Sequence, residues 1–428
     1  MEEQKNPIGI LLRNRSFVYL WIGQVLSQLA GNMMIFLLGI LTYKATGSNA
    51  AVSGLFIAWG IPSVVFGMLA GMVVDKLDKR KIIMVSSIVR AFLVAGLLLA
   101  MQNVVFVYAV IFLSALIAQF FIPAEAALIP RYVKGKELLT ANSMFSFAFY
   151  SSMAVGFILA GPMLRYFGPT TSIIILSAFF LIAAWMSAYL PKVLDEDAAT
   201  MKRISKLDLI VVIRKINASL REGAAYVWSS HVLVDSLLLL TGTQIIIAIL
   251  STLGPGFADR VMGIDVNDAS VYIIGPVVAG VMIGAYWVGN KGVNMSPKKL
   301  IRTGVLGAGV LLILISVTVY LKRFAGFQWI FTDSVIVPIE IVLFFLLGVA
   351  NSLLDVPANS LLQKNAEGDM RGRVYGLLSA FVGGVGVLPV LAGGVLSDMI
   401  GVGKVIFALG VIILIYGIYR VRKNRGHA

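Results

Sequence analysis

The sequence predicts an all-α membrane protein: twelve transmembrane helices in two six-helix bundles related by a pseudo-two-fold axis. Three observations predict it. The 428 residues are 59% hydrophobic and only 13% charged, where a soluble domain carries about a quarter. The apolar runs reach about 20 residues, enough to cross a hydrocarbon core of roughly 30 Å as helix. Two sequence blocks also recur at nearly one offset. "FIPAEAALI" (121–129) matches "DVPANSLLQ" (355–363), and "LAGPMLRYFG" (159–168) matches "LAGGVLSDMIG" (391–401), at offsets of 234 and 232. The short alternating segments of a β-barrel are missing from the sequence.

The first six spans are expected at 17–41, 51–74, 82–101, 104–129, 143–164 and 169–190. The opening "MEEQKNPIGILLRNRSF" has no cleavage pattern, so the first apolar run is expected to stay as a span. The next six are expected at 231–253, 269–289, 303–320, 335–361, 374–396 and 402–420. One long hydrophilic stretch, 191–230, separates six from six, giving bundles at 1–190 and 231–428 with a linker between. Within the linker, 207–227 has helical periodicity and suits an amphipathic helix on the membrane surface or a solvated tether.

Charge sets the orientation. With both termini cytosolic, the inner segments hold 28 Lys and Arg and the outer side 6, counting Lys404 at the outer end of the last span. This asymmetry also accounts for the net charge of +14, so no nucleic-acid partner is expected. A multi-pass protein of the plasma membrane, monomeric and surrounded by lipid, is the expectation.

The loop after the second span, "GMVVDKLDKRKI" (71–82), places Gly71, Asp75 and Lys76 ahead of Lys79, Arg80 and Lys81. With twelve spans in two halves, this loop resembles the signature of the major facilitator superfamily. Lys76 stands where that family has Arg, and Asp78 is an extra acid. The second-half loop, "GNKGVNMSPKKLIR", keeps its bases but lacks the acid. "YKATGS" (43–48), "IPAEAALIPRYV" with "ELLTANS", and "DMRGRVYGLL" (369–378) resemble the macrolide-efflux and enterobactin-exporter group within it. The resemblance implies alternating access, with substrate held between the halves. It further implies a cytosolic gate in which Asp75 meets the start of span 11, assisted by Lys76, Arg80, Arg371 and Arg373. A carboxylate is favoured at a helix N-terminus, so that contact would hold the cytosolic side shut. Simple headgroup anchoring by the same charges is the plainer reading.

Ionisable residues inside spans are functional candidates. They are Arg90, Glu125, Asp235, Glu340 and Asp355. At 1.5 Å per residue, Asp235 and Glu125 lie about 6–7 Å from the inner ends of their spans, Asp355 about 10 Å and Arg90 about 12 Å. Glu340 falls near an outer end. Each acid is read as a proton-coupling group or as part of gate ion pairs with Arg90, Arg131 or Arg371. Gln24, Gln28 and Asn32 form an i, i+4, i+8 stripe. Because lipid-facing amides are costly, Gln28 and Asn32 are expected to line the substrate cavity, with Gln119, Tyr150, Gln244 and Asn351. Phe36, Trp59, Phe145, Phe149, Tyr286 and Phe381 make the remaining cavity candidates apolar, although packing is the commoner role for such rings. Paired glycines such as Gly280 and Gly284 suit close helix contacts. Gly161 and Pro162 resemble the glycine-proline element of the superfamily's antiporters.

There is no Cys, and only His231 and His427 supply imidazole, so an enzyme, a metal site or a cofactor is not expected. No GxxxxGK[ST] loop is present to use ATP. The expected function is proton-coupled export of a lipophilic or amphiphilic small molecule of drug, macrolide or siderophore type. The alternative is a lysophospholipid transporter or lipid flippase, which resembles this chain in its span 4 "PA" block.

Overall fold

The computed structural model describes residues 7–75, 77–133, 135, 137–191, 221–323, 332–366, 370–382 and 386–425. Regular structure among them is helical. Ten of these helices are long and apolar enough to cross a membrane. Most of the expected amphipathic segment 207–227 lies outside the described residues, which resume at a helical stretch over 221–228.

In the first half the helices are α1 (Pro7–Arg13), α2 (Arg15–Thr46), α3 (Asn49–Asp75), α4 (Lys79–Ala100), α5 (Val104–Tyr132) and α6 (Glu137–Ala188). The extra acid Asp78 has a plain use: it is the N-cap of α4, its carboxylate accepting from Arg80 N at 3.0 Å and Lys81 N at 3.3 Å. Asn103 caps α5 in the same way. The expected spans 143–164 and 169–190 run on as α6, turning at Gly168. With φ +73, that residue sits where a side chain would be strained, and Pro169 follows it. Ser172 ties the turn by donating to the carbonyls of Met163 and Gly168, at 3.1 and 2.7 Å.

The second half holds α7 (His231–Phe257), α8 (Gly275–Asn290), α9 (Pro297–Arg323), α10 (Asp333–Asn365), α11 (Met370–Ala380), α12 (Val387–Ile400) and α13 (Val402–Arg425). Two single π-turns, Ala258–Met262 and Ser270–Ile274, extend α7 and lead into α8. The expected span 374–396 falls on α11 and α12, with 383–385 outside the described residues. Gly386 N reaches Phe381 O at 2.9 Å, an i to i+5 bond that widens the helix, and Pro389 brings no N–H to the next turn.

Packing groups the chain into two units. One contains Met1–Leu38 and Ala58–Asn217, the other Gly39–Ile57 and Ala218–Ala428. The second unit therefore includes the end of α2, the start of α3 and the turn joining them. The first unit has a core of Phe17, Leu20, Ile83, Phe121, Leu128 and Phe145. The second is built on Leu233, Leu237, Leu240, Val305, Leu354 and Leu362. Glycines let its helices touch backbone to backbone, as predicted for Gly280 and Gly284. A Cβ on Gly280 would overlap the Phe345 carbonyl, and one on Gly284 would lie 2.9 Å from the Ser352 Cβ. Ser352 uses that closeness to donate to Val281 O at 2.7 Å.

Candidate functional site

In the first unit the central feature is Arg90, buried on α4 at 7% exposure. Its Nη1 donates to Ser27 Oγ on α2 at 2.9 Å, and its guanidinium carbon lies 4.2 Å from the Phe180 ring centre on α6. A desolvated cation over an aromatic face gains about 2 kcal/mol, which offsets part of the cost of burial. Gly31 makes the room, since a Cβ there would stand 2.9 Å from Arg90 Nη2. No described acid pairs with Arg90, and its Nε has no described partner.

Glu125, on α5, is equally buried, and its Oε1 accepts no bond from a described residue. Two residues earlier, Pro123 brings no N–H for the Gln119 carbonyl. The Gln119 side chain folds back, donating to Ala115 O at 3.2 Å. Of the amide stripe on α2, Gln24 is buried and its Oε1 has no described partner, while Gln28 and Asn32 are half-buried. Asn32 packs against Gly156, where a Cβ would meet its own at 3.0 Å. Tyr150 is exposed and forms an edge-to-face pair with Phe149, whereas Phe36 and Phe145 are buried among core side chains.

The gate residues of this half take mixed positions. Asp75 is the last residue of α3; its side chain, the surroundings of Gly71 and all of Lys76 lie outside the described atoms. Arg80 turns to the end of α6, donating to Ser187 O at 3.4 Å and to Ala188 O. A cation there satisfies carbonyls that the helix cannot pair and complements its dipole.

In the second unit the candidate acids are held by neighbours. Asp235 on α7 pairs with Arg420 on α13. Asp355, half-buried on α10, accepts from the Thr243 hydroxyl at 3.3 Å, a hydroxyl that also reaches Leu240 O at 2.8 Å. Glu340 is fully buried and accepts from the Thr318 hydroxyl of α9; its Oε2 has no described partner. Asn351 is half-buried and Gln244 exposed. Arg373 pairs with Glu222, and the Arg371 side chain lies outside the described atoms.

Sequence reasoning missed a dense polar cluster among the described residues, which lies in the second unit at the N-terminus of α3. Asp398, near the end of α12, caps that helix from outside. Its two oxygens accept from Asn49 N and Ala50 N, each at 3.0 Å, and from Ser48 Oγ at 2.6 Å. Arg260 Nη1 stands 3.8 Å from the carboxylate, and its Nη2 donates to Gly47 O. Nearby, Tyr43 donates to Asp259 at 3.0 Å and Lys44 faces Asp265 at 3.5 Å. Burial opposes ionisation of Asp398, but the Ser48 hydroxyl, the two backbone N–H donors and Arg260 outweigh it and hold its carboxyl below the ordinary value. Close approach depends on Gly256 and Gly394, where a Cβ would overlap Asn49 and Ser53 respectively. The sequence hints were the "YKATGS" motif (43–48), which supplies Tyr43, Lys44, Gly47 and Ser48, and Asp398 within the repeated "LAGGVLSDMIG" block.

Comparison with known proteins gives the context for these residues. A sequence model of the Major Facilitator Superfamily matches residues 20–336. The chain is 23% identical over 418 residues to the uncharacterized MFS-type transporter YfiS of Bacillus subtilis, covering 95% of this chain and 93% of that protein. It is 24% identical over 392 residues to the multidrug efflux pump Tap of Mycolicibacterium fortuitum, covering 89% of each. Among solved structures, a bacterial homologue of the human lysosomal transporter Spinster has a TM-score of 0.69 at 13% identity, over 95% of this chain and 96% of that one. The nucleoside transporter NupG has a TM-score of 0.68 at 11% identity, over 95% and 98%. At such identities the solved structures speak for the fold alone, while the family match spans most of the sequence. With a helical, multi-pass architecture of ten membrane-length helices among the described residues, the chain belongs to the Major Facilitator Superfamily and is a membrane transporter, not an enzyme.

Proposed function

We propose that the chain is a proton-coupled exporter of lipophilic or amphiphilic small molecules, working by alternating access in the plasma membrane with both termini cytosolic. The observation that carries the coupling is Glu125: a carboxyl buried in the first unit with one oxygen left without a described partner. A buried unsatisfied polar group is costly, so its retention fits a group that gains a proton in one conformation and loses it in another. Export of drug-like cargo is supported by the similarity to the Tap multidrug efflux pumps and by the apolar, weakly charged composition of the spans. Gln28, Asn32, Gln119, Tyr150, Gln244 and Asn351 are proposed as cargo contacts. Asp75 is proposed to control the exchange between conformations. An acid at the C-terminal residue of a helix opposes that helix's own dipole, so the position suits a use outside α3.

The test is transport in proteoliposomes under an imposed pH gradient, with a dye, a macrolide, a siderophore and a labelled lysolipid as cargo. Gradient-driven movement of at least one of the first three, abolished by Glu125→Gln, is expected. Movement that ignores the gradient would remove the coupling, and movement of lysolipid alone would remove the export reading.

A further inference from the structure

A groove of about 880 Å³ lies wholly within the second unit, between α9 and α13. Its polar end is formed by Lys298, Lys299 and Arg302 from the first turns of α9 and by Arg420 of α13. Its other end is apolar, walled by Leu306 and Val310. None of the three α9 bases forms an ion pair with another described residue. Arg420 is engaged by Asp235 through Nη2 and interacts with the Tyr416 hydroxyl, while its buried Nη1 has no described partner. Gly417 sets the depth: a Cβ there would lie 2.8 Å from Leu306 Cδ2.

The layout matches one kind of molecule. From Lys299 to Val310 the helix rises about 16 Å, close to half of a roughly 30 Å hydrocarbon core. Four bases at one end, with the N-terminal dipole of α9 added, suit a phosphate; the apolar limb suits acyl chains at the depth where a leaflet holds them. We propose that this groove is a binding site for an anionic phospholipid of the surrounding bilayer, with the phosphate at Lys298, Lys299, Arg302 and Arg420. A soluble anion would use the bases and leave the apolar limb without purpose. The lipid is an accessory ligand here and not cargo, and its phosphate competes with Asp235 for Arg420. Occupancy is thereby felt by α7, the helix whose Thr243 holds Asp355. This inference rests on membrane embedding, not on the export reading.

The test measures lipid retained by the purified full chain, using native mass spectrometry and binding of fluorescent phosphatidylglycerol against phosphatidylcholine. The wild type is expected to prefer phosphatidylglycerol. Lys298→Gln/Lys299→Gln/Arg302→Gln should lose that preference by more than tenfold, since each basic residue near a charged headgroup contributes severalfold. Arg13→Gln/Lys291→Gln/Lys364→Gln removes the same charge elsewhere and should lose less than threefold. Val310→Trp should weaken lipid binding while inorganic phosphate remains a poor competitor. Retained preference in the α9 variant would overturn the site. So would an equal loss in the control, or full competition by millimolar phosphate with no effect of Val310→Trp.

Discussion

The stretches around Pro123 in α5 and Pro357 in α10 share a Pro-Ala pair at an offset of 234, yet they treat their acids in opposite ways. In α5, Glu125 is buried and one oxygen has no described partner. The matching position in α10 is Asn359, whose side-chain oxygen accepts from the Tyr375 hydroxyl. In α10 the acid sits before the proline, as Asp355, half-buried and bonded to Thr243. Its counterpart in α5 is Phe121, part of the core. The repeat thus supplies a Pro-Ala pair twice, and among the described residues of the two matched blocks the buried acid oxygen without a partner is in the first. The two copies keep the Pro-Ala pair and differ in the acids beside it.

The largest test of this contrast is Glu125→Gln. It should lower gradient-driven transport at least tenfold and flatten its pH profile while the protein stays folded. An equal effect from Asp355→Asn would abolish the distinction. The double variant Glu125→Gln/Asn359→Glu sharpens it: the new acid would take the Tyr375 hydroxyl as partner, so transport should not recover. For stability, Glu125→Leu should raise resistance to thermal unfolding, because removing an unsatisfied buried polar group recovers about 1–3 kcal/mol.

Asp398 offers the opposite case, a fully satisfied acid. Asp398→Asn should destabilise by about 0.5–2 kcal/mol, the usual worth of a helix cap. Because the folded-state carboxyl is held below its ordinary value, its stabilisation is present at neutral pH and disappears as pH falls through that lowered value. A thermal-melt series in acid should therefore converge for wild type and variant; a constant gap down to the lowest pH would contradict the cap. Smallest of all, Thr243→Val should cost about 0.5–1.5 kcal/mol, with transport reduced by no more than about threefold.

Much of the architecture was legible because lipid imposes a simple rule: about 20 apolar residues and few charges make a span. The depth of Arg90 and Glu125 could be counted from span ends. Their partners could not, since Ser27 and Phe180 are brought to Arg90 by helix packing that no local pattern encodes. Asp78 was readable in principle, as an acid immediately before a helical run, but the family signature drew attention to its charge instead of its position. The contact of Arg80 with the end of α6, more than a hundred residues away in sequence, was likewise beyond any local pattern. The external cap by Asp398 joins residues about 350 apart, with nothing in either segment to announce the other.

The inclusion of Gly39–Ile57 in the second unit has a consequence for recombination. Exchange of halves between relatives at the 191–230 linker would sort residues by chain order and not by contact. Asp398 would then face a foreign turn in place of Ser48, Asn49 and Ala50, and Gly394 a foreign helix start. A chimera that also transplants 39–57 keeps donor and acceptor together. Compatible crossover points therefore come as a set of three, near 38, 57 and 217, because the inherited halves and the packed units are cut differently from one thread.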